Sequence, residues 1–519
     1  MPRRPFVIAA ALVVAGPSVL RAQAPPLIDS VAIETHDIFD STEARGSVLF
    51  RLMNSLHVKT QSWVVRREVL VRAGAPLDAR LLAETVRNLR RLGLFRRVVI
   101  DTARVDGKLV ARIVTYDGWT TTLETALSFT GNVVTWSAGL TERNVLGTGN
   151  LVGASYRKEA DRSAWRFRGQ LNRALGTRAV VAGFYDDLSD GRAGAWTPEV
   201  PFRAFGDRLG GGLPGEAADQ RILRFRDGVE SDTLWRRGLV QRAWVGWAPV
   251  AGPGGYVRVG LYGHVRREAI VALRDTGVAV PDSVSGVVGF FLEAQHPQFV
   301  EVTHYNGFAR EEDFDLSTHA LLGVVVAPSA FGYPRTGVGA GLDAQAGLGS
   351  PRAFVRVRAQ VSGLLTSAGL DSGRVSAGIT LASRIIPRQA TVLHVEAGLQ
   401  KNPYPGTEFD LGHGLGPRAF KPHAFTGTRA VWGIAEHRVF VLDDLLGLLG
   451  LGFAGFADYG GAWYADEDPR FGGDVGIGLR VGATRATGPN VGRLDLAYQF
   501  GDGVTGRRWV VSFGQAYEF

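Results

Sequence analysis

From Trp119 to its end the chain keeps one habit. Strand-like runs of about ten residues recur every ~15 to 25 residues, separated by Gly, Asp, Asn and Pro. Examples are 120–129, 135–142, 151–158, 165–172, 179–185, 243–248, 256–264, 353–364, 391–399 and 494–500. A helical period is largely absent from this region, and no stretch of 18 consecutive apolar residues occurs anywhere. A two-layer sandwich of this size would be one helix-free domain of ~400 residues, well beyond the usual domain length. A closed barrel satisfies every backbone group at any length, in lipid as in water. The last strand separates the two. Trp509, Val511, Phe513, Gln515, Tyr517 and Phe519 share one face, largely apolar and aromatic. Val510, Ser512, Gly514, Ala516 and Glu518, mostly small or polar, share the other. The odd face suits lipid and the even face a lumen. The region 119–519 is therefore expected to be a transmembrane antiparallel β-barrel.

Composition agrees where it has a say. Apolar residues make up 45% and charged residues 21%, which excludes both a disordered chain and a helical membrane protein. The 68 glycines suit hairpin turns, and 11 Trp, 12 Tyr and 27 Phe can supply aromatic girdles. The absence of cysteine removes disulfides, thiolate zinc sites and a thiol nucleophile. The net charge of +8 comes almost wholly from arginines scattered along the chain, not from the clustered patch of a nucleic-acid binder.

The N-terminus has its own logic. Arg3 and Arg4 precede an apolar run at 6–15, too short to span a bilayer, and small residues follow at Ala22 and Ala24. Residues 1–22 are read as a signal peptide. Residues 27–117 form a separate α+β unit. A strand at 31–39 leads to a helix capped by Thr60 and ended by Gly74 as its C′ residue. A second helix is capped by Asp78, with Leu82, Val86 and Leu89 on its apolar face and Arg87, Arg90 and Arg91 opposite. Two strands, 98–102 and 109–115, then meet at Asp106-Gly107.

This arrangement resembles the superfamily of BamA, TamA and two-partner secretion transporters, in which POTRA domains precede a 16-stranded barrel. The resemblance rests on Thr60-x-x-x-Val64-Val65-Arg66-Arg67-Glu68, Gly74, and Leu89-x-x-Leu92-Gly93-x-Phe95-x-x-Val98 in the small domain. In the barrel it rests on the first turn, Glu142 to Gly149, on Pro417-Arg418-Ala419-Phe420, and on Phe456-Ala457-Asp458-Tyr459-Gly460. The terminal Phe519 also fits, as part of a C-terminal assembly signal with Trp509, Phe513 and Tyr517. The resemblance implies one POTRA-like domain in the periplasm and a barrel of about 16 strands in the bacterial outer membrane. The surplus of strand-like runs is then assigned to extracellular hairpins, within 188–235 and 266–300. Its implied partners are outer-membrane lipid, unfolded outer-membrane or secreted polypeptide clients, and the assembly machinery that would insert the barrel itself.

The resemblance also implies a long loop that folds into the barrel, with Arg418 at its tip. Parity puts Asp458 on the lumen face with Phe456 and Gly452, so an Arg418–Asp458 pair would lock the loop to the wall, with Phe420 wedged beside it. Glu436 is a second candidate acceptor whose parity with Trp432 and Ile434 leaves its direction open. The alternative for Arg418 is a solvated loop arginine. Ala419 stands where the family has glycine, so a strained tip is expected if that position needs φ > 0. Residues 210–215 match G-x-G-x-x-G but lack a preceding strand and following helix and contain Pro214, so they are read as a loop. His413, His423 and His437 lack regular ligand spacing, and the acidic groups at 311–313 and 466–468 read as solvated turns. No enzyme activity, cofactor or metal is expected. The leading functional expectation is outer-membrane protein assembly or polypeptide translocation. The alternative is a passive outer-membrane channel or structural barrel.

Overall fold

The computed structural model describes residues 25–130, 133–226, 228–273, 280–412, 414–487 and 491–515. The expected signal peptide, His413, Tyr517 and Phe519 lie outside these residues.

The small domain runs β1 (Ser30–His36), α1 (Ser41–Gly46), α2 (Val48–Leu56), α3 (Ser62–Glu68), α4 (Ala79–Arg91), β2 (Phe95–Val105) and β3 (Lys108–Asp117). Strand β3 is central, parallel to β1 and antiparallel to β2. Its core joins Val64 and Val65 of α3, Leu89 of α4, and Leu94, Phe95, Val98 and Ile113. Asp78 caps α4 by accepting the Arg80 N–H at 2.8 Å, and Asp106-Gly107 makes the β2–β3 turn with both residues at positive φ.

Three local expectations need correction. Thr60 does not cap α3. It is buried, giving its N–H to Asp117 (2.6 Å) and its hydroxyl as acceptor to Asn144 (2.8 Å), and the N-cap is Gln61 without a side-chain bond. Helix α3 stops at Glu68, so Gly74 (φ 79°) is not its C′ residue but sits in a later turn. Helices α1 and α2 fill a stretch for which no element was expected. Asp40 starts α1 with a reciprocal capping box to Glu43, a signal that was legible in Asp-x-x-Glu.

The rest of the chain closes on itself. Antiparallel strands run from Thr121–Thr130 to Trp509–Gln515, and these two pair to complete the ring. Among the described residues the ring has twenty strands, counting Leu209–Gly212 and Gly215–Arg226 as one interrupted strand between Gly191–Val200 and Val229–Gly252. The expected 16 is thus wrong, and for a simple reason. The runs within 188–235 and 266–300 are full wall strands, not loop hairpins: Val229–Gly252 and Gly255–Ala272 pair over most of their length. The Gly210–Gly215 segment is part of this wall and not a free loop.

Outward positions carry the apolar surface. Leu123, Leu140, Trp165, Phe167, Leu261, Phe290, Phe453 and Val511 are exposed around the ring. Toward the end away from the small domain, outward aromatics stack in series, Trp136–Tyr156–Trp165 and Tyr459–Phe471. Such a belt with an aromatic girdle is what a bilayer-spanning barrel presents to lipid. The last strand alternates as its sequence reads: Trp509, Val511 and Phe513 face out, while Val510 and Ser512 are buried. No helix among the described residues is long and apolar enough to cross a membrane.

Candidate functional site

The long loop 402–428, between Gln389–Lys401 and Arg429–Leu445, turns into the barrel. Its short hairpin, Phe409–Leu411 with Phe425–Gly427, packs with Phe420, Ala424, Trp432 and Ala462 in one apolar cluster. Phe420 is fully buried there. A Cβ at Gly472 would meet its ring at 2.6 Å, so glycine makes room for the wedge. Gly460 does the same for Trp432, whose Cβ an added methyl would meet at 2.6 Å.

Arg418 is 0% exposed. Its Nε donates to Asp458 Oδ2 at 2.6 Å and its Nη2 to Asp458 Oδ1 at 3.2 Å, a bidentate pair. Its Nη1 reaches Glu436 at 2.8 Å and Asp495 at 3.4 Å. The guanidinium also lies 3.9 Å over the Phe456 ring. The next residue is held by the backbone: the Ala419 N–H donates to Asp474 at 3.0 Å, and its carbonyl accepts from Gln499. Arg438, Arg480 and Arg493 complete the group, with Arg480 on Asp495 (2.6 Å), Arg438 on Glu436 (2.8 Å) and Arg493 also on Asp495. Four arginines thus meet three carboxylates, Glu436, Asp458 and Asp495, all of them buried, while Asp474 binds the loop backbone. A buried charge left without a partner there would cost several kcal/mol.

The structure brings Arg418, Phe420, Glu436, Asp458, Phe456 and Gly460 together. Glu436 points inward after all. Trp432 and Ile434 share its face because they meet the inserted loop and the inner wall rather than lipid. Ala419 needs no glycine geometry: the positive φ values in this loop fall at Asn402, Gly406, Gly412, Gly414, Gly416 and His423. Asp474, Asp495, Arg438, Arg480 and Arg493 were missed by sequence reasoning. Their signal was available: charged residues alternating with Gly, Val or Leu at one parity of strands whose other parity is apolar.

A second insert closes the domain end of the lumen. Between Val280–His296 and Thr318–Ala327 the chain forms the hairpin Phe299–Val302 with Glu312–Asp315. Val302, Tyr305, Phe308 and Phe314 pack on Phe354, Val392, Phe440 and Val491 of the inner wall. Arg438 donates to the Tyr305 carbonyl at 2.6 Å, joining this hairpin to the charged cluster. On the other side Arg90 of α4 meets Glu301 (2.9 Å), Asp313 (3.0 Å) and Glu311. The acidic group at 311–313 is therefore not a solvated turn.

The resemblance motif of the small domain is spread over several tasks. Glu68 is buried and accepts from Arg173 (2.8 Å) and Arg203 (3.0 Å) of two barrel turns. Phe95 is core, Gly93 takes φ 64° after α4, Arg67 lies 4.4 Å over Trp63, and Arg66 is exposed. The first barrel turn docks on the start of α3, with the Gln61 N–H on the Gly147 carbonyl at 3.0 Å.

Only Phe129, Ser128 and Leu127 pair with Val511, Ser512 and Phe513 among the described residues, whereas Thr121–Thr130 pairs along its full length with the next strand.

These features define a membrane-spanning β-barrel of outer-membrane type, closed at one end by its own hairpin and pinned inside by a salt-bridged loop. No family model matches the sequence. In shape the chain is similar to CdiB from Acinetobacter baumannii, at 10% identity over 94% of this chain and 73% of that one, with a TM-score of 0.48. It is similar to CdiB from Escherichia coli at 10% identity, 97% and 92% coverage and TM-score 0.47. It is also similar to BamA from Haemophilus ducreyi lacking POTRA domains 1–3, at 12% identity, 93% and 84% coverage and TM-score 0.37.

Proposed function

We propose that this chain is an outer-membrane assembly or translocation factor, with its small POTRA-like domain in the periplasm. The observation that carries the reading is the inner loop locked to the wall by Arg418, in the same arc of the ring as the seam between the first and last strands. A passive pore needs no such lock. The domain receives an unfolded client by strand addition at an edge of its sheet, β1 or β2, since β3 is central. Backbone pairing of that kind tolerates varied sequences. The client then reaches the seam between the first and last strands, paired among the described residues at Leu127, Ser128 and Phe129. The hairpin 299–315 stands between domain and lumen, tied to α4 by Arg90 on one side and to the lock by Arg438 on the other.

The test is a staple. Register places Leu127 opposite Phe513, and the chain has no cysteine of its own. A Leu127→Cys/Phe513→Cys disulfide is expected to stop client insertion or export and to release it on reduction. Unchanged delivery with the seam crosslinked would sink the proposal. The second reading, a passive channel, is favoured by a polar lumen cavity of about 460 Å³ lined by His319, Arg356, Arg358 and Glu396. Planar-bilayer recording separates them. A wide, steady conductance indifferent to Arg418→Ala marks a pore, and a closed, flickering one opened by that change marks the assembly reading.

A further inference from the structure

Helix α2 leaves an apolar face without a partner in the chain. Val48, Leu49, Leu52 and Leu56 are 73%, 49%, 52% and 68% exposed. At 100° per residue these four fall within one ~100° stripe. The opposite side holds the helix to the domain: Phe50 stacks on Phe39 with centroids 4.1 Å apart, and Asn54 exchanges hydrogen bonds with the Phe39 backbone. Val58, just beyond the helix, is exposed as well. A face of this kind on a soluble domain is a binding surface or a liability.

Its position says what covers it. The Phe50 ring lies against Gly447, where an added Cβ would meet it at 2.8 Å, in the barrel turn between Arg429–Leu445 and Leu449–Trp463. Arg485 fastens the same corner, bonding Glu43 of α1 and the Gly447 carbonyl, each at 3.0 Å. At its other end the segment reaches Gln61, which bonds Gly147 and Leu146 in the first domain-side turn. Helix α2 therefore runs along the rim from the turn at 446–448 to the turn at 146–149. The last and first barrel strands, and so the seam, lie between those turns in the ring. The turns at both ends are themselves apolar and exposed, through Leu445, Leu446 and Leu449 at one and Leu146 at the other. The apolar stripe is thus continuous with the lipid-facing surface of the barrel. Arg45 and Arg51 are exposed nearby, as suits a helix bordering phosphate headgroups.

We infer that α2 is an interfacial membrane helix, with Val48, Leu49, Leu52 and Leu56 buried in the domain-side leaflet beneath the seam. The occupant of this face is lipid, not a polypeptide. The inference rests on the reading of the barrel as membrane-spanning.

The absence of cysteine makes the test free of background. Nitroxide labels are placed singly at Leu52→Cys, Leu56→Cys and Lys108→Cys, the last exposed at the end of β3 far from the barrel, with Leu261→Cys on the outward wall as reference. The full chain is reconstituted in vesicles of phosphatidylethanolamine and phosphatidylglycerol, and collision with oxygen is compared with collision with a water-soluble nickel chelate. Labels at 52 and 56 are expected to favour oxygen, as at 261, while the label at 108 favours nickel. Equal nickel access at 52 and 108 would show a face in water and overturn the inference. Low access to both reagents at 52 would show protein cover, such as a second copy, and overturn it equally. If the 261 label itself favours nickel, the membrane reading fails, and that outcome is distinct from the other two. Because all four positions are exposed, the labels leave the packed side of the helix intact.

Discussion

At the scale of single residues, the buried charges set the expectations. Removing Arg418 strands Asp458 inside the barrel and leaves Glu436 to Arg438 and Arg480, and breaking such a buried pair costs about 3–5 kcal/mol. Arg418→Ala is therefore expected to lower the temperature at which the folded band disappears on unheated gels, and to loosen loop 402–428. Arg418→Lys should not rescue it, because one ammonium cannot make the bidentate pair and reach Glu436 as well. Asp117 behaves differently. Burial raises its pKa, the Thr60 N–H and His57 pull it back, and it settles at about 6 against an ordinary 3.8. The folded domain thus binds this proton more tightly than the unfolded chain. Between pH ~4 and ~6 the native state holds more protons, so stability falls as pH rises through that window. Amide protection in β3, measured for the wild type relative to Asp117→Asn, is expected to decline across it. A flat difference would refute the assignment. These residues also show where sequence reading stops. Asp458 was legible because its strand alternates cleanly. Glu436 was not, because the apolar residues sharing its face serve an inserted loop whose position no local period reveals. Asp117 and Thr60 meet only through the fold.

At the scale of elements, the inserted loop has a second fastening. His423 bonds Asp410 (2.5 Å) and Asp161 (2.7 Å) through its two ring nitrogens and stacks on Phe225. Burial alone would lower its pKa, but the two carboxylates outweigh burial and push it up to about 9. The imidazolium therefore stabilises the loop fully below its ordinary 6.5, and this support is lost as pH rises through about 9. A nitroxide at Thr407→Cys should gain mobility between pH 8 and 10, and His423→Gln should abolish the step. Glu68 is the corresponding tie between domain and barrel. Glu68→Ala leaves Arg173 and Arg203 without their shared acceptor, and faster hydrogen exchange is expected in the turns at 172–179 and 201–208. The domain's α4, β2 and β3 were legible because a cap, a 3.6 period and an Asp-Gly turn mark them, whereas both ends of α3 were misplaced because no side chain caps it. Helix α2 was passed over because an exposed apolar helix looks like neither a core helix nor a loop.

At the scale of the whole molecule, both inserts and the domain converge on one polar path, from loop tip through Glu436 and Arg438 to the hairpin and Arg90. Arg90→Ala is expected to free the hairpin from α4 and raise the frequency of open events in bilayer recordings, while leaving the barrel's heat resistance unchanged. An unaltered record would mean that the three carboxylates hold the hairpin without α4.

The ring of twenty strands has a further meaning, in counting. Each added strand reverses the direction in which the chain leaves the wall. A chain whose first strand starts, and whose last strand ends, on the domain's side can grow only by whole hairpins. The four strands beyond the expected sixteen obey this parity. They lie ahead of the locked loop, in the runs within 188–235 and 266–300. Lock and seam therefore keep their neighbours and their sidedness however many hairpins accumulate upstream. The wall can widen in one arc while the opposite arc, which holds everything that could open, stays as it was.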